Sequence, residues 1–233
     1  MSKASWAGAL ITLHQISYEQ PIIMSIFMAY FEDKDFDRLQ ANALASVDGL
    51  TELDYKKFIA YVGGFYGNLS NYHSFGHMKF IPEISPEKFW GIIESHYRAS
   101  EEGSPIHFCL TTKGMRAKVE KEVFAYDAPY TQINFPSEGG ITAYFSRNMT
   151  PEDLNLTKEF LLSAEAVAKG LDILNTRVFK TSDTEFLLTV GAIQSVSGNM
   201  EYKGKTFKLQ EEFGDYLAEM NSHLEKALPY AAN

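Results

Sequence analysis

The sequence predicts an α+β fold, a helical N-terminal half followed by a small mixed β-sheet or partial β-barrel wrapped by helices. Three observations carry this expectation. Apolar residues recur at helical spacing up to about residue 125. After Gly139-Gly140 the period shortens to that of strands. Capping and turn signals punctuate both halves. The change of period divides the chain into a mainly helical part, residues 1–137, and a strand-rich part with a terminal helix, residues 138–233, together one structural lobe.

Taken in order, Ala4 to Ile16 reads as a helix that opens without a cap. Pro21 starts a second apolar helix through Ile22, Ile26 and Phe27 toward Phe31. Thr51 with Asp54 three residues on resembles a capping box, and Phe58, Ile59, Val62, Phe65 and Tyr66 continue that helix at 3.6-residue spacing. Ser85-Pro86-Glu87 places Ser at the N-cap and Pro at the first helical position of a helix carrying Phe89, Trp90, Ile93 and Tyr97. Thr112 to Ala125 reads as a more charged helix.

In the second half, Ile141 to Phe145 reads as a strand, and Thr150-Pro151-Glu152-Asp153 begins a helix running to about Ala168. Leu174 to Lys180 and Glu185 to Ile193 read as strands, with Phe186, Leu188 and Val190 on one face of the second. Tyr202 to Leu209 contains Lys203-Gly204, a hairpin-turn candidate. Asp215 is the expected cap of a last helix through Leu217, Met220, Leu224 and Leu228, stopped by Pro229.

A chain of 233 residues with 17 Phe and 13 Tyr can bury a substantial core. Its formal charge of -9 argues against nucleic acid and anionic membrane partners, which need clustered Lys and Arg. Cys109 is the only cysteine, so no intramolecular disulfide can form, and its apolar run Ile106 to Leu110 suits a buried thiol better than a reactive thiolate. Met1 to Gln15 is too short and polar for a signal sequence, and no apolar run reaches membrane-spanning length. The expectation is a cytoplasmic protein, in which the Asn-x-Ser/Thr sequons at Asn68, Asn148 and Asn155 stay unused.

The most informative stretch is Tyr61 to Phe80. A helix end runs into Asn68-Leu69-Ser70-Asn71-Tyr72-His73-Ser74-Phe75-Gly76, where Asn and Gly permit left-handed backbone geometry. From the residues alone this is either a helix C-cap with its hydrophobic contact or a surface that receives a ligand. His73 and His77 stand four apart, but Gly76 between them argues against a helix and no acidic ligand accompanies them. No G-x-S-x-G occurs, and Gly63, Gly64 and Gly67 do not match a phosphate-binding loop. Glu152, Asp153 and Glu159 read as a solvated helix face.

Asn68 through Phe80 resembles the N-x-x-N-Y-x-S-F-G-x-x-K-F segment of the dipeptidyl peptidase III family, zinc exopeptidases that remove dipeptides from peptide N-termini. The likeness continues in family order. Ala4-Ser5-Trp6-Ala7-Gly8 with Leu10 to Gln15 is similar to an early family helix, and Gly140 to Thr150 with Glu152-Asp153 to a second block. Asn175 to Lys180, Phe213-Gly214-Asp215-Tyr216 and Tyr230-Ala231-Ala232-Asn233 follow; residues 99–136 add nothing to the resemblance. At positions 73 and 77 the family pattern has Lys and Asp where this chain has His.

The resemblance implies a lower lobe with a five-stranded barrel, to which the strands near 141–145, 174–180, 185–193 and 202–211 would belong. It implies an extended peptide bound between two lobes by strand addition. In that arrangement Ser74 and Phe75 supply a hydroxyl and an apolar wall near the N-terminal residues of the substrate, and Gly76 permits close approach. The family zinc motif, H-E-x-x-G-H with a later Glu ligand, has no counterpart here. The expectation is therefore zinc as cofactor of the full-length family but none bound by this chain, no catalytic residue, and an N-terminal lobe trimmed at both ends and inactive alone. Its partners would be short peptides. The rival reading is a non-catalytic peptide-binding or interaction module derived from the same lobe.

Overall fold

Local caps set most of the helix starts. The computed structural model describes residues 2–32, 34–98, 115–193 and 196–230. They divide into two compact units, one formed by Tyr18–Ile133 and the other by Met1–Ser17 with Asn134–Asn233. The second boundary lies close to the change of period read from the sequence, but the first helix goes with the strand-bearing unit rather than with its helical neighbours in sequence.

In the unit 18–133 the helices are α2 (Gln20–Tyr30), α3 (Phe36–Ser46), α4 (Glu52–Asn68), α5 (Pro86–Arg98) and α6 (Met115–Phe124). Thr51 and Asp54 close a reciprocal capping box at α4: Thr51 Oγ1 accepts from the Asp54 N–H at 3.2 Å, and Asp54 Oδ2 accepts from the Thr51 N–H at 3.0 Å. Lys88 Nζ lies 2.7 Å from the same carboxylate, and these bonds hold the Asp54 carboxyl down at about 2. Ser85 Oγ accepts from the Lys88 N–H at 3.3 Å, as its N-cap position requires. The core is aromatic. Phe27 meets Phe65 edge-on at 5.3 Å, Tyr61 at 6.2 Å and Phe58 at 6.4 Å, and Phe58 and Phe89 are fully buried beside it.

In the other unit, α1 (Ser2–Ile16) packs along α9 (Gly214–Ala227). Gly8 lies beside Met220, and the His14 and Phe213 rings sit 5.8 Å apart. Between them in sequence come α7 (Pro151–Leu161), α8 (Ala164–Ala168) and strands β1 (Thr176–Lys180), β2 (Glu185–Gly191), β3 (Ser197–Tyr202) and β4 (Lys205–Glu212). The sheet order is β1-β2-β4-β3, with β2 and β4 parallel and the outer pairings antiparallel. This is a mixed open sheet whose edges are β1 and β3. Phe186, Leu188 and Val190 do share its buried face, with Phe207 and Leu209 of β4 beside them. From α7, Phe160 stacks on Phe207 at 4.0 Å, and this contact fixes the helix over the sheet.

Several boundaries differ from the sequence reading. Residues 141–145 do not form a strand: they make isolated bridges at Ile141 and Phe145, the latter to Val178, rather than a ladder. Thr142 Oγ1 accepts from the Tyr144 N–H at 3.0 Å and Ser146 Oγ from the Lys180 N–H at 2.9 Å, so hydroxyls take donors that a ladder would use. The helix expected to reach Ala168 breaks after Leu161, because Ser163 accepts from the Ala166 N–H and starts α8 anew. Asp215 sits in the first turn of α9; the cap position belongs to Phe213, with φ 62°. The turn at Lys203-Gly204 is where it was expected, with both φ values positive (46° and 75°), as a two-residue hairpin turn requires. Cys109, the run Ile106 to Leu110 and the start of the helix expected from Thr112 lie outside the described residues.

Candidate functional site

The Asn68–Phe80 segment leaves α4 through Leu69, which holds φ 54° and ψ 28°. The left-handed residue at the helix end is thus a leucine, while Gly76 further along takes the positive φ that the sequence suggested for this stretch. The chain then turns back on itself. Tyr72 and Lys79 form an antiparallel bridge, and the His73 N–H donates to the Met78 carbonyl at 2.9 Å. Ser74, Phe75, Gly76 and His77 make the tip, with φ 95° at Gly76 and 58° at His77.

The base of this hairpin is firmly tied. Asn68 Nδ2 donates to the Gly64 carbonyl at 2.9 Å while its Oδ1 accepts the Ser74 N–H at 2.9 Å. Gln20 and Asn71 form a reciprocal buried pair, with Gln20 Nε2 donating to Asn71 Oδ1 at 3.0 Å and the Asn71 N–H to Gln20 Oε1 at 3.1 Å. The second strand continues into residues 131–133: the Lys79 N–H donates to the Thr131 carbonyl and the Ile133 N–H to the His77 carbonyl. The Tyr72 hydroxyl donates to the Tyr130 carbonyl at 3.2 Å.

Beneath the tip lies Lys79, whose side chain is only 3 % exposed. Its ammonium donates to the Glu122 carbonyl and faces the rings of Tyr72 and Tyr130 at 5.7 and 5.4 Å. Burial lowers the lysine to about 8, against the opposing pull of Glu19, Glu122 and Asp127. The same burial raises the Tyr72 phenol far above its ordinary value. Lys79 belongs to the segment that carries the resemblance but has no role assigned by it; Tyr72 apart, the groups facing it, the Glu122 carbonyl and the Tyr130 ring, come from a distant segment that local patterning does not report.

Below about pH 8 the lysine is charged in both folded and unfolded chain, and the full burial cost weighs on the fold. Between about 8 and the unfolded value of 10.5 the folded chain releases its proton first, so the unfolded chain binds more protons and stability rises with pH. The denaturation midpoint of the 18–133 unit, followed by Trp90 fluorescence in a Trp6→Phe background, should therefore increase from about pH 8 to about 9; above that the phenols of Tyr61 and Tyr72, which burial raises in the same unit, ionise first in the unfolded chain and oppose the trend. Lys79→Met should abolish the increase; an unchanged slope would assign it to other groups.

Of the residues expected to contact substrate, all three stand at the exposed tip. Phe75 is 96 % exposed, and a Cβ built on Gly76 would meet nothing within 4 Å. The structure therefore brings Ser74, Phe75 and Gly76 together as a presented turn on a braced base. His73 is exposed, and its ring lies against Phe80 at 4.9 Å. A shallow depression of about 290 Å³ opens beside the hairpin base, lined by Asn68, His73, Phe80, Lys57 and Glu83 among others. Phe75 is not part of its lining. Among the described residues no three His, Cys, Asp or Glu side chains come together as a metal would need, so the residues present do not fit a zinc site and no chemical step through zinc is assigned to them. No helix of the described residues is long and apolar enough to cross a membrane.

A helical unit that presents this turn and a unit built on a mixed sheet place the chain among α+β proteins. The sequence profile of peptidase family M49 matches residues 115–233. The chain is 33% identical over 251 aligned positions to human dipeptidyl peptidase 3, covering all of this chain and 32% of that protein. The corresponding values are 30%, 99% and 33% for dipeptidyl peptidase 3 of Nematostella vectensis, and 27%, 100% and 31% for that of Dictyostelium discoideum. This chain belongs to peptidase family M49. It spans about a third of the length of the curated relatives it matches.

Proposed function

We propose that the chain supplies part of the substrate-binding surface of a zinc-dependent dipeptidyl peptidase, and that the zinc and the groups handling its water come from sequence beyond these residues. The observation that carries the reading is the tip itself. A large apolar ring, 96 % exposed, is held out on a turn whose base is fixed by Asn68, the Gln20–Asn71 pair and buried Lys79. An exposed aromatic on a rigid base loses little conformational entropy on contact and offers a wide apolar face. Ser74 contributes a hydroxyl beside it, and Gly76, which has no Cβ and open space where one would stand, leaves that side of the backbone open to an extended peptide. Short peptides are the partners this surface fits.

The chain should show no peptidase activity by itself. Dipeptidyl-arylamide substrates, tested with and without added zinc, are expected to give no release of arylamine. Chelator-sensitive turnover by the purified chain would overturn the division of labour proposed here. A second reading, a peptide-binding module without chemistry, is favoured by the buried apolar core that each unit has of its own. It requires that short peptides bind the chain and perturb the signals of Phe75 and its neighbours.

A further inference from the structure

The first and last helices of the strand-bearing unit are only lightly buried. α9 has no buried residue, and Leu13 is the one buried residue among the described side chains of α1. Elements with so little buried surface open locally at small cost, so one change of charge can move their equilibrium. The two helices meet at a junction that holds a titratable ring. His14, in the last turn of α1, has its ring 5.8 Å from that of Phe213 at the start of α9. The Arg177 guanidinium stands 5.6 Å from the same Phe213 ring, and its Nη1 donates to the His14 carbonyl at 3.3 Å. Two residues on, the Ile16 carbonyl accepts from the Ala143 N–H at 3.1 Å. The end of α1 is thus held through backbone acceptors, while its imidazole shares an aromatic ring with a fixed cation.

The charged groups around the junction come from each element packed there. β1 brings Arg177, the end of β4 brings Glu212, and the 141–145 segment adds the Tyr144 phenol beside Arg177. α9 carries Asp215 in its first turn, and further along its His223 Nε2 lies 3.5 Å from Glu219 Oε1. Burial and then the Arg177 cation hold the His14 imidazole below its ordinary value of 6.5, against the pull of Glu212. The C-terminal end of the α1 dipole also favours the proton and is likewise outweighed. Glu212 is already engaged by Arg177 and the Thr189 hydroxyl, which limits what it offers a second cation. We propose that α1 is an acid-released arm: a proton on His14 sets a second cation beside Phe213 and Arg177, and α1 leaves α9 while the sheet stays folded. The docked helix prefers the neutral ring. Its contribution is complete above pH 6.5 and is lost as the pH falls through the lowered folded value. Release bares the side of α9 that carries Met220, which Gly8 covers in the docked state.

The test is amide hydrogen exchange of the whole chain at about pH 7.5 and about pH 5.5, corrected for the intrinsic effect of pH on exchange. The opening constants of α1 and α9 should rise at least about threefold on acidification, while those of β2 and β4 stay constant. His14→Phe keeps a ring against Phe213 and cannot take a proton, so it should remove the rise. His14→Gln, neutral and polar, should remove it as well, which separates the charge from the shape of the side chain. His14→Arg carries the charge permanently and should leave α1 open at both pH values with the sheet still protected. No rise in the parent, a rise that survives in both His14→Phe and His14→Gln, or an equal loss of protection across the sheet would each overturn the proposal.

Discussion

Replacing Arg177 with Met should destabilise the strand-bearing unit by roughly 3–5 kcal/mol, the cost of leaving one partner of a buried ion pair alone. Arg177 on β1 forks onto Glu212 at the end of β4, with Nε 2.8 Å from Oε2 and Nη2 in close contact with Oε1. Both side chains are largely buried, 12% and 19% exposed. Glu212 also accepts from the Thr189 hydroxyl at 2.7 Å, while Arg177 Nη1 donates to the carbonyls of His14 and Ala143 at 3.3 and 3.4 Å. The guanidinium is flanked by Phe179 at 5.4 Å and Phe213 at 5.6 Å. One side chain thus ties α1, the 141–145 segment, the sheet and the start of α9. Met keeps most of the stem volume but leaves the Glu212 carboxylate without its cation and two backbone carbonyls without a donor.

Amide hydrogen exchange gives the decisive readout because it separates the units. Amides of β1, β4 and α1 should lose protection in Arg177→Met, whereas those of α4 in the other unit should keep theirs. The double change Arg177→Met with Glu212→Met should recover most of the loss, since it removes the unpaired charge. A single variant within about 0.5 kcal/mol of the parent would mean that solvent already screens the pair.

This bracing also explains why the first helix groups with the strand-bearing unit and not with its sequence neighbours. Nothing in Ala4 to Ile16 announces that its C-terminal carbonyls meet an arginine 163 positions away. Signals that act within a turn of chain were legible: Thr51 with Asp54, Thr150 with Asp153, Ser85 before Pro86, and Lys203-Gly204 all did locally what their side chains permit. So was the alternation of Phe186, Leu188 and Val190, because one face of β2 is buried. The helix at Phe36–Ser46 was missed because it buries only Leu39 and Ala43, too sparse an apolar face to show a period, although Asp35 caps it. The strand expected at 141–145 failed for the opposite reason, a good β pattern whose neighbouring hydroxyls compete for the ladder donors. The site was half legible. The motif marked Ser74, Phe75 and Gly76, while the braces that make the tip rigid, Gln20 against Asn71 and Lys79 against Glu122, arise only when distant segments meet.

Phe75→Ala should lower catalytic efficiency by roughly tenfold or more once the remaining sequence of a family-length peptidase is joined to this chain, by fusion or complementation. The residue has almost nothing to lose in the free chain, being 96 % exposed, so folding and melting should not change. Any loss must therefore arise against substrate, where burying an aromatic contact contributes on the order of 1–3 kcal/mol. Zinc content should stay constant, because among the described residues no three His, Cys, Asp or Glu side chains gather at the tip or elsewhere. Phe75→Leu should recover part of the efficiency through retained apolar area. His73→Ala should cost much less, as its exposed ring packs on Phe80 at the hairpin base rather than at the tip. Asn68→Ala supplies the contrast: it frees the Ser74 N–H and loosens the turn, so it should reduce efficiency while Phe75 is still present. Equal losses from Phe75→Ala and His73→Ala, or loss of zinc with Phe75→Ala, would make the turn a structural element of the peptidase rather than a surface for its substrate.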